Sequence, residues 1–169
     1  MKNLLLLLFI GIVGIGTAQN VNIPDANFKA YLVGESTINT NGDTEIQVSE
    51  ATVFPAAIYC QAANISDLTG IEAFTALTYL YCNGNQLTSL DLSQNTALSW
   101  LNCYDNQLTS LNLNGAAALD YLYCWSNQLT SLDVSQNTAL LDLDCNNNQL
   151  TSLDVTQNTA LLTSDCSDN

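Results

Sequence analysis

The stretch Leu77–Ala97, LTYLYCNGNQLTSLDLSQNTA, decides the fold because the chain repeats its pattern every 21 residues. Its hexapeptide Asn-Gln-Leu-Thr-Ser-Leu occurs four times, beginning at Asn85, Asn106, Asn127 and Asn148. Cysteines keep the same spacing, at Cys82, Cys103, Cys124, Cys145 and Cys166. A fixed period of this length is typical of a solenoid, in which one coil buries its apolar face only against its neighbours.

The repeats fill the C-terminal two thirds of the chain. Full repeats begin at residues 77, 98, 119 and 140, a partial one begins at residue 161, and a divergent first repeat occupies 58–76. Leu80 and Cys82 are two residues apart, so both point inward from one strand. The asparagine of each hexapeptide is predicted to turn inward and bond the backbone where the strand ends. The spacing in 87–92 predicts a second extended segment in each repeat.

The repeat follows the pattern L-x-x-L-x-L-x-x-N/C-x-L, with cysteine in the third apolar position. The matching residues of the first full unit are Leu77, Leu80, Cys82, Asn85 and Leu87. This pattern resembles bacterial secreted and surface leucine-rich-repeat proteins, in particular internalin-like proteins with a cysteine ladder. The resemblance covers 58–169. It implies a right-handed leucine-rich-repeat solenoid of parallel strands, mostly β with little convex helix, behind a small α-helical N-terminal cap.

The six cysteines are interpreted as core residues. Each replaces a core leucine in register, and neighbours on adjacent parallel rungs stand side by side, which is a poor geometry for a disulfide. Buried cysteine behaves as a small hydrophobe. Disulfides or a metal site remain the alternative.

Residues 1–18 have the pattern of a secretory signal peptide. Lys2 gives a positive start, Leu4–Ile15 is apolar, and Gly16-Thr17-Ala18 is a small-residue cleavage site. The apolar stretch is too short for a stable membrane span. We therefore expect an exported bacterial protein, secreted or at the cell surface, with no membrane insertion.

Residues 19–57 are expected to form the helical cap. Pro24 and Asp25 predict a helix start, Gly34 its end, and Ser49 the cap of a second short helix. The stretch 39–50 between them resembles an EF-hand calcium loop, although Thr44 stands where that loop requires glycine. Its candidate calcium ligands are Asn39, Asn41, Asp43, Glu45 through its carbonyl, and Glu50. The alternative is a degenerate loop kept as cap architecture, and the fold itself requires no cofactor.

Residues that flank the inward pair on each strand are expected on the concave, solvent side of the solenoid. Seven aromatic residues fall there: Tyr79, Tyr81, Trp100, Tyr104, Tyr121, Tyr123 and Trp125. Asp142 and Asp144 follow on the same face toward the C-terminus. Exposed aromatic residues in such density favour a binding surface for a protein or glycan ligand. Cross-strand stacking that stabilises the sheet is the alternative.

The charge balance excludes several functions. The chain has 16 acidic and two basic residues, a formal net charge of −14, and neither histidine nor arginine. This balance argues against nucleic acid and anionic membranes as partners. The absence of histidine rules out Ser-His-Asp and Cys-His nucleophile activation. The sequence thus predicts a non-catalytic extracellular binding or adhesion module.

Two alternatives remain open. A glycosidase would use Asp144 and Asp165 on adjacent rungs, but an open wet face offers no means of raising either pKa. A structural spacer, or a truncated fragment of a larger surface protein, is the other. The last repeat has no cap, and its exposed apolar groups and strand edge predict end-to-end self-association.

Overall fold

A computed structural model describes residues 18–169, so nearly all of the expected signal peptide lies outside the described residues. The elements in this range are α1 (Ala26–Gly34), α2 (Val48–Ala51), β1 (Ala57–Tyr59), a 3-10 turn (Ile71–Ala73), β2 (Tyr79–Tyr81), β3 (Ser89–Asp91), β4 (Trp100–Asn102), β5 (Ser110–Asn112), β6 (Tyr121–Tyr123), β7 (Asp142–Asp144) and β8 (Thr163–Asp165). None of the helices in this range has the length and apolar character to cross a bilayer.

The repeats stack through one parallel sheet of six strands, in the order β1-β2-β4-β6-β7-β8. The register advances by one repeat per strand, so that Leu80 lies beside Leu101 and Leu101 beside Leu122. Each of these leucines is fully buried. The predicted solenoid of parallel strands with little helix is therefore confirmed.

The second side of the coil is extended in only part of the solenoid. Strands β3 and β5 form a two-stranded parallel sheet, while the corresponding residues of later repeats form no strand. The Asn112 side chain donates to the Asp91 carboxylate at 3.0 Å and joins these two rungs. Asp133 and Asp154 follow in the next two repeats, and each accepts a backbone N–H two residues ahead, as Asp91 also does. The expectation of a second strand in every repeat was therefore wrong.

The cysteine ladder lies inside the stack. The side chains of Cys60, Cys82, Cys103, Cys124 and Cys145 are buried, and all six thiols of the described residues are free. Burial raises the pKa of Cys60 to about 12 and that of Cys82, Cys103 and Cys124 well above its usual range. Cys166 is exposed, contrary to expectation, because its coil has a neighbour on one side only.

The hexapeptide asparagines hold the turn at the end of each strand. Asn127 donates to the carbonyls of Cys103 and Cys124 at 3.1 and 3.0 Å and accepts from the Leu108 N–H at 2.9 Å. Asn85, two rungs earlier, makes equivalent bonds: it donates to the carbonyls of Cys60 and Cys82 and accepts from the N–H groups of Ala63 and Ile65. Each asparagine thus bonds its own coil and the preceding coil, as the sequence predicted.

A second asparagine ladder was not anticipated. Asn95, Asn137 and Asn158 are buried, and each side chain donates to two carbonyls of the preceding coil. Ala116 occupies the equivalent position in the third repeat. Beside it, a Cβ placed on Gly115 would lie 1.7 Å from the Ser93 carbonyl oxygen. Gly115 therefore allows a close approach of the two coils where the ladder is interrupted.

The cap is fixed to the first repeat by Asp25, the N-cap of α1. Its carboxylate accepts from the backbone N–H groups of Asn27 and Phe28, and from the N–H and hydroxyl of Ser66. These donors lower the pKa of Asp25 against the opposing effect of partial burial. The N-cap of α2 is Gln47, whereas Ser49, the expected cap, lies inside the helix.

Candidate binding surface

The outward side chains of the six-stranded sheet form one continuous surface, which we call the aromatic face. It comprises Tyr59, Tyr79, Tyr81, Trp100, Tyr104, Tyr121, Tyr123 and Trp125. Parallel register places Tyr79, Trp100 and Tyr121 in one row and Tyr59 and Tyr81 in another. The structure thus brings all seven sequence-predicted aromatic residues together.

Tyr59 is the member that sequence reasoning missed. It pairs in register with Tyr81 on β2, and its ring stacks on Tyr81 at a centroid distance of 4.9 Å. The divergent first repeat hid it, although Tyr59 precedes Cys60 just as Tyr81 precedes Cys82. At 57% it is the most exposed ring of the face, followed by Tyr79 at 42%.

The remaining rings of the aromatic face stack on one another and are half-buried. Trp100 stacks on Tyr121 at 4.4 Å, and Tyr104 on Trp125 at 4.1 Å with only 9° between the ring planes. Offset stacking of this kind stabilises neighbouring strands. It also turns the paired ring faces toward each other, so edges and hydroxyl groups form much of the surface.

Two polar atoms in the middle of the face have no partner. The Trp100 indole N–H and the Asn102 side-chain oxygen, both on β4, are buried without a hydrogen bond among the described residues. An unpaired buried donor or acceptor costs about 1–3 kcal/mol. The unpaired groups of Trp100 and Asn102 therefore lower the stability of this part of the face.

The C-terminal end of the face is acidic, and Asp142 is tied to the aromatic part. The Tyr123 hydroxyl donates to the Asp142 carboxylate at 2.9 Å, and burial together with this bond raises the pKa of Tyr123 to about 12. An open groove of about 330 Å³ lies beside them, bordered also by Asp144 and Asp165. The acidic residues therefore line a recess that continues the aromatic face.

Asp144 and Asp165, the alternative catalytic pair, are adjacent in register. Partial burial, with the charges of Asp165 and Asp142, raises the pKa of Asp144, so the expectation that neither pKa would be raised was wrong. Asp165 is exposed, and the backbone N–H and hydroxyl of Ser167 lower its pKa. No wall encloses this pair, whose recess is open to solvent.

The loop 39–50 is closed by hydrogen bonds among its own residues. The Glu50 carboxylate accepts four, from the Thr40 N–H and hydroxyl and from the backbone N–H groups of Asn41 and Gln47. These donors lower the pKa of Glu50 although burial opposes them. Asp43 accepts the side-chain amides of Asn41 and Gln47.

The other two candidate calcium ligands differ in their contacts. The Asn39 side-chain oxygen accepts the Gly42 N–H at 3.1 Å, and its amide group donates to the carbonyls of Val33 and Asp43. Glu45 pairs with Lys29 at 2.6 Å through its carboxylate, not through the carbonyl expected to bind calcium. Residues 18–169 contain no group of three or more acidic, cysteine or histidine side chains arranged to hold a metal ion. Calcium binding in this loop therefore stays a prediction of the sequence.

Comparison with known proteins gives one strong likeness. The solved functional domain of InlJ from Listeria monocytogenes, which includes a cysteine ladder, superposes with a TM-score of 0.78 at 41% identity, covering 89% of this chain and 33% of that one. Internalin J from L. monocytogenes serotype 4b (strain F2365) is 42% identical over 82 residues, 47% of this chain and 9% of that protein. A leucine-rich-repeat protein of Leptospira interrogans matches 51% of this chain and 24% of its own at 27% identity and a TM-score of 0.49. No protein-family model matches.

These likenesses confirm the resemblance inferred from the repeats. The chain is an internalin-like leucine-rich-repeat solenoid with a cysteine ladder. It spans a third of the solved InlJ chain and less than a tenth of the curated internalin J sequence.

Proposed function

We propose that this chain is a non-catalytic binding module that acts outside the cell and recognises a protein partner through the aromatic face. The observation that carries the proposal is the gathering of six of the seven tyrosines and both tryptophans on one open sheet surface. Tyrosine and tryptophan supply most of the binding energy in many protein interfaces. Exposed clusters of apolar rings on a soluble domain are otherwise rare.

The ring geometry favours protein over glycan as the partner. A sugar stacks on the open face of an aromatic ring, but here Trp100 lies against Tyr121 and Tyr104 against Trp125. What these pairs offer outward is ring edges, hydroxyl groups and indole edges. Such a surface suits the side chains and backbone amides of a protein.

The charge distribution indicates which kind of protein surface the aromatic face would bind. Lys29 is the basic residue of the described range, and it is already paired with Glu45. Asp142, Asp144 and Asp165 lie at one end of the aromatic face. Complementary potentials accelerate association and exclude wrong partners, so a basic protein surface is the expected complement.

Catalysis is the less favoured function. Asp144 and Asp165 lie in a recess open to water, where neither carboxyl is held in the enclosed, apolar setting that keeps a general acid protonated. The comparisons also link the chain to an internalin rather than to a glycosidase.

The test is a binding screen of residues 19–169 against arrays of extracellular proteins and of glycans. A Tyr79→Ala/Trp125→Ala double variant is screened in parallel, and Ser110→Ala in the two-stranded sheet is the matched control. Loss of two central aromatic contacts should weaken binding by about 30-fold or more. Circular dichroism establishes that each variant is folded.

A protein ligand that binds the control normally and the double variant weakly would support the proposal. A ligand that binds all three proteins equally would show that the binding surface lies elsewhere. Binding to glycans alone would show that the partner is a carbohydrate and not a protein.

A further inference from the structure

A second recess lies where the cap meets the first strand, beyond the end of the stacked rings. It has a volume of about 360 Å³, and its walls come from α1, the segment after α2, and β1. Its lining is largely apolar, with Ile38 and Phe54 as buried walls and Tyr31 and Tyr59 as aromatic ones. We call it the cap groove.

Tyr59 offers a ring face to this groove. β1 is the first strand of the sheet, so Tyr59 has a stacking neighbour, Tyr81, on one side only. The backbone N–H of Tyr59 donates to the Tyr31 hydroxyl at 2.8 Å, which ties α1 to β1 beside the groove. A hydrogen bond therefore positions Tyr31, and a ring stack positions Tyr59, on two walls of the groove.

One carboxylate stands at the groove, on Glu35. It lies close enough to the Tyr31 hydroxyl to contribute, with burial, to the raised pKa of that tyrosine. The one ion pair of residues 18–169 joins Lys29 to Glu45, so Glu35 has no cationic partner in this range. An apolar recess, an open aromatic ring face and an unpaired carboxylate together match an alkyl chain that ends in a cation.

We propose that the cap groove binds a lysine side chain of a basic protein partner. Its methylene groups lie against Ile38 and Phe54, and its ammonium group lies between the Tyr59 ring and Glu35. The net charge of −14 attracts basic partners to the whole molecule and supports this occupant over an acidic or neutral one. The groove shares Tyr59 with the aromatic face, but its other lining residues come from the cap and from residues 54–57, so its occupation can be tested apart from the remaining rings.

The experiment is a nuclear magnetic resonance titration of isotope-labelled residues 19–169. The probes are N-acetyl-lysine methylamide and N-acetyl-norleucine methylamide, which share an alkyl chain and differ in the charge. We expect shifts at Tyr59, Ala57 and Thr37 in the millimolar range, with the lysine probe binding about threefold more tightly because of its cation.

Variants assign the two parts of the site. Glu35→Gln and Tyr59→Leu should each abolish the advantage of lysine over norleucine, while Tyr59→Phe keeps it. Asp105→Asn, which removes one exposed charge elsewhere, is the control for net charge. The backbone bond to Tyr31 survives all of these changes, and the amide spectrum reports on folding.

Three results would overturn the proposal. These are no shifts at the groove up to the solubility of the lysine probe, equal affinity for the two probes, or an unchanged preference in both Glu35→Gln and Tyr59→Leu. A Tyr79→Ala/Trp125→Ala variant that has lost its protein ligand but keeps the lysine preference would separate this site from the aromatic face.

Discussion

The cysteine ladder makes the fold sensitive to alkaline pH. Five thiols, those of Cys60, Cys82, Cys103, Cys124 and Cys145, are buried. Burial raises their pKa values to about 11 for Cys145, to about 12 for Cys60, and well above the usual range for the other three. In the unfolded chain they ionise at about pH 8.5. A group whose pKa is higher in the folded chain stabilises it below the unfolded pKa, and this stability is lost as pH rises toward the folded pKa.

The size of the loss follows from the number of thiols. Between about pH 8.5 and about pH 10, ionisation of one thiol in the unfolded chain lowers the free energy of unfolding by about 1.6 kcal/mol. Five thiols therefore cost about 8 kcal/mol, which is on the order of the whole stability of a small domain. The tyrosines of the unfolded chain begin to ionise only at the upper end of this range.

The assay is urea unfolding at a series of pH values, in a phosphine reductant that keeps every thiol reduced. Fluorescence of Trp100 and Trp125 follows the transition. A Cys103→Val variant should lose about one fifth of the pH dependence, since one of five buried thiols is gone. A free energy of unfolding that changes by less than about 1.5 kcal/mol over this range would contradict protonated, buried thiols.

Three further predictions concern the asparagine ladder, the coil contact and the cap. Asn127→Ala should lower the free energy of unfolding by about 2–4 kcal/mol because the Leu108 N–H and two carbonyls lose a buried partner, and a loss below about 1 kcal/mol would refute this. Gly115→Ala should cost at least about 2 kcal/mol, because its Cβ meets the Ser93 carbonyl, and an unchanged melting temperature would contradict that contact. Millimolar calcium should raise the melting temperature above its value in a chelator, as the EF-hand-like pattern of residues 39–50 predicts, and an unchanged value would favour a loop kept as cap architecture.

Much of the fold was predictable because the repeat constrains it many times over. Leu80 and Cys82 recur in register, so one interpretation of the inward positions had to hold for every coil. The asparagine of the hexapeptide was predictable for the same reason, since a buried bend leaves backbone groups that need a partner. The aromatic face then followed from alternation along each strand.

The features that the sequence did not predict depend on contacts between coils. In the sequence Asn95 has the pattern of an ordinary turn residue. Its role is evident only from the two carbonyls of the preceding coil to which its side chain donates. The second strand forms where Asp91 and Asn112 bond each other across two coils, and it does not continue into the later repeats. Partial burial beside neighbouring carboxylates raises the pKa of Asp144, which no single repeat reveals.

The sequence also did not predict how far the aromatic rings are buried. Alternation placed Trp100 on the outer side of the sheet, but its stacking on Tyr121 depends on the registry of side chains between strands. The cap groove depends on how α1 meets β1, and residues 19–57 of the cap contain no repeat from which this contact could be predicted. Tyr59 was therefore missed together with the recess that it lines.

The most direct test of the proposed function is hydroxyl-radical footprinting of the chain with a bound protein ligand from the array screen. The account predicts protection of Tyr59, Tyr79 and the edges of Tyr104 and Trp125, with no protection of the two-stranded sheet β3–β5. Protection confined to β3–β5, with the aromatic rings as reactive as in the free protein, would contradict it.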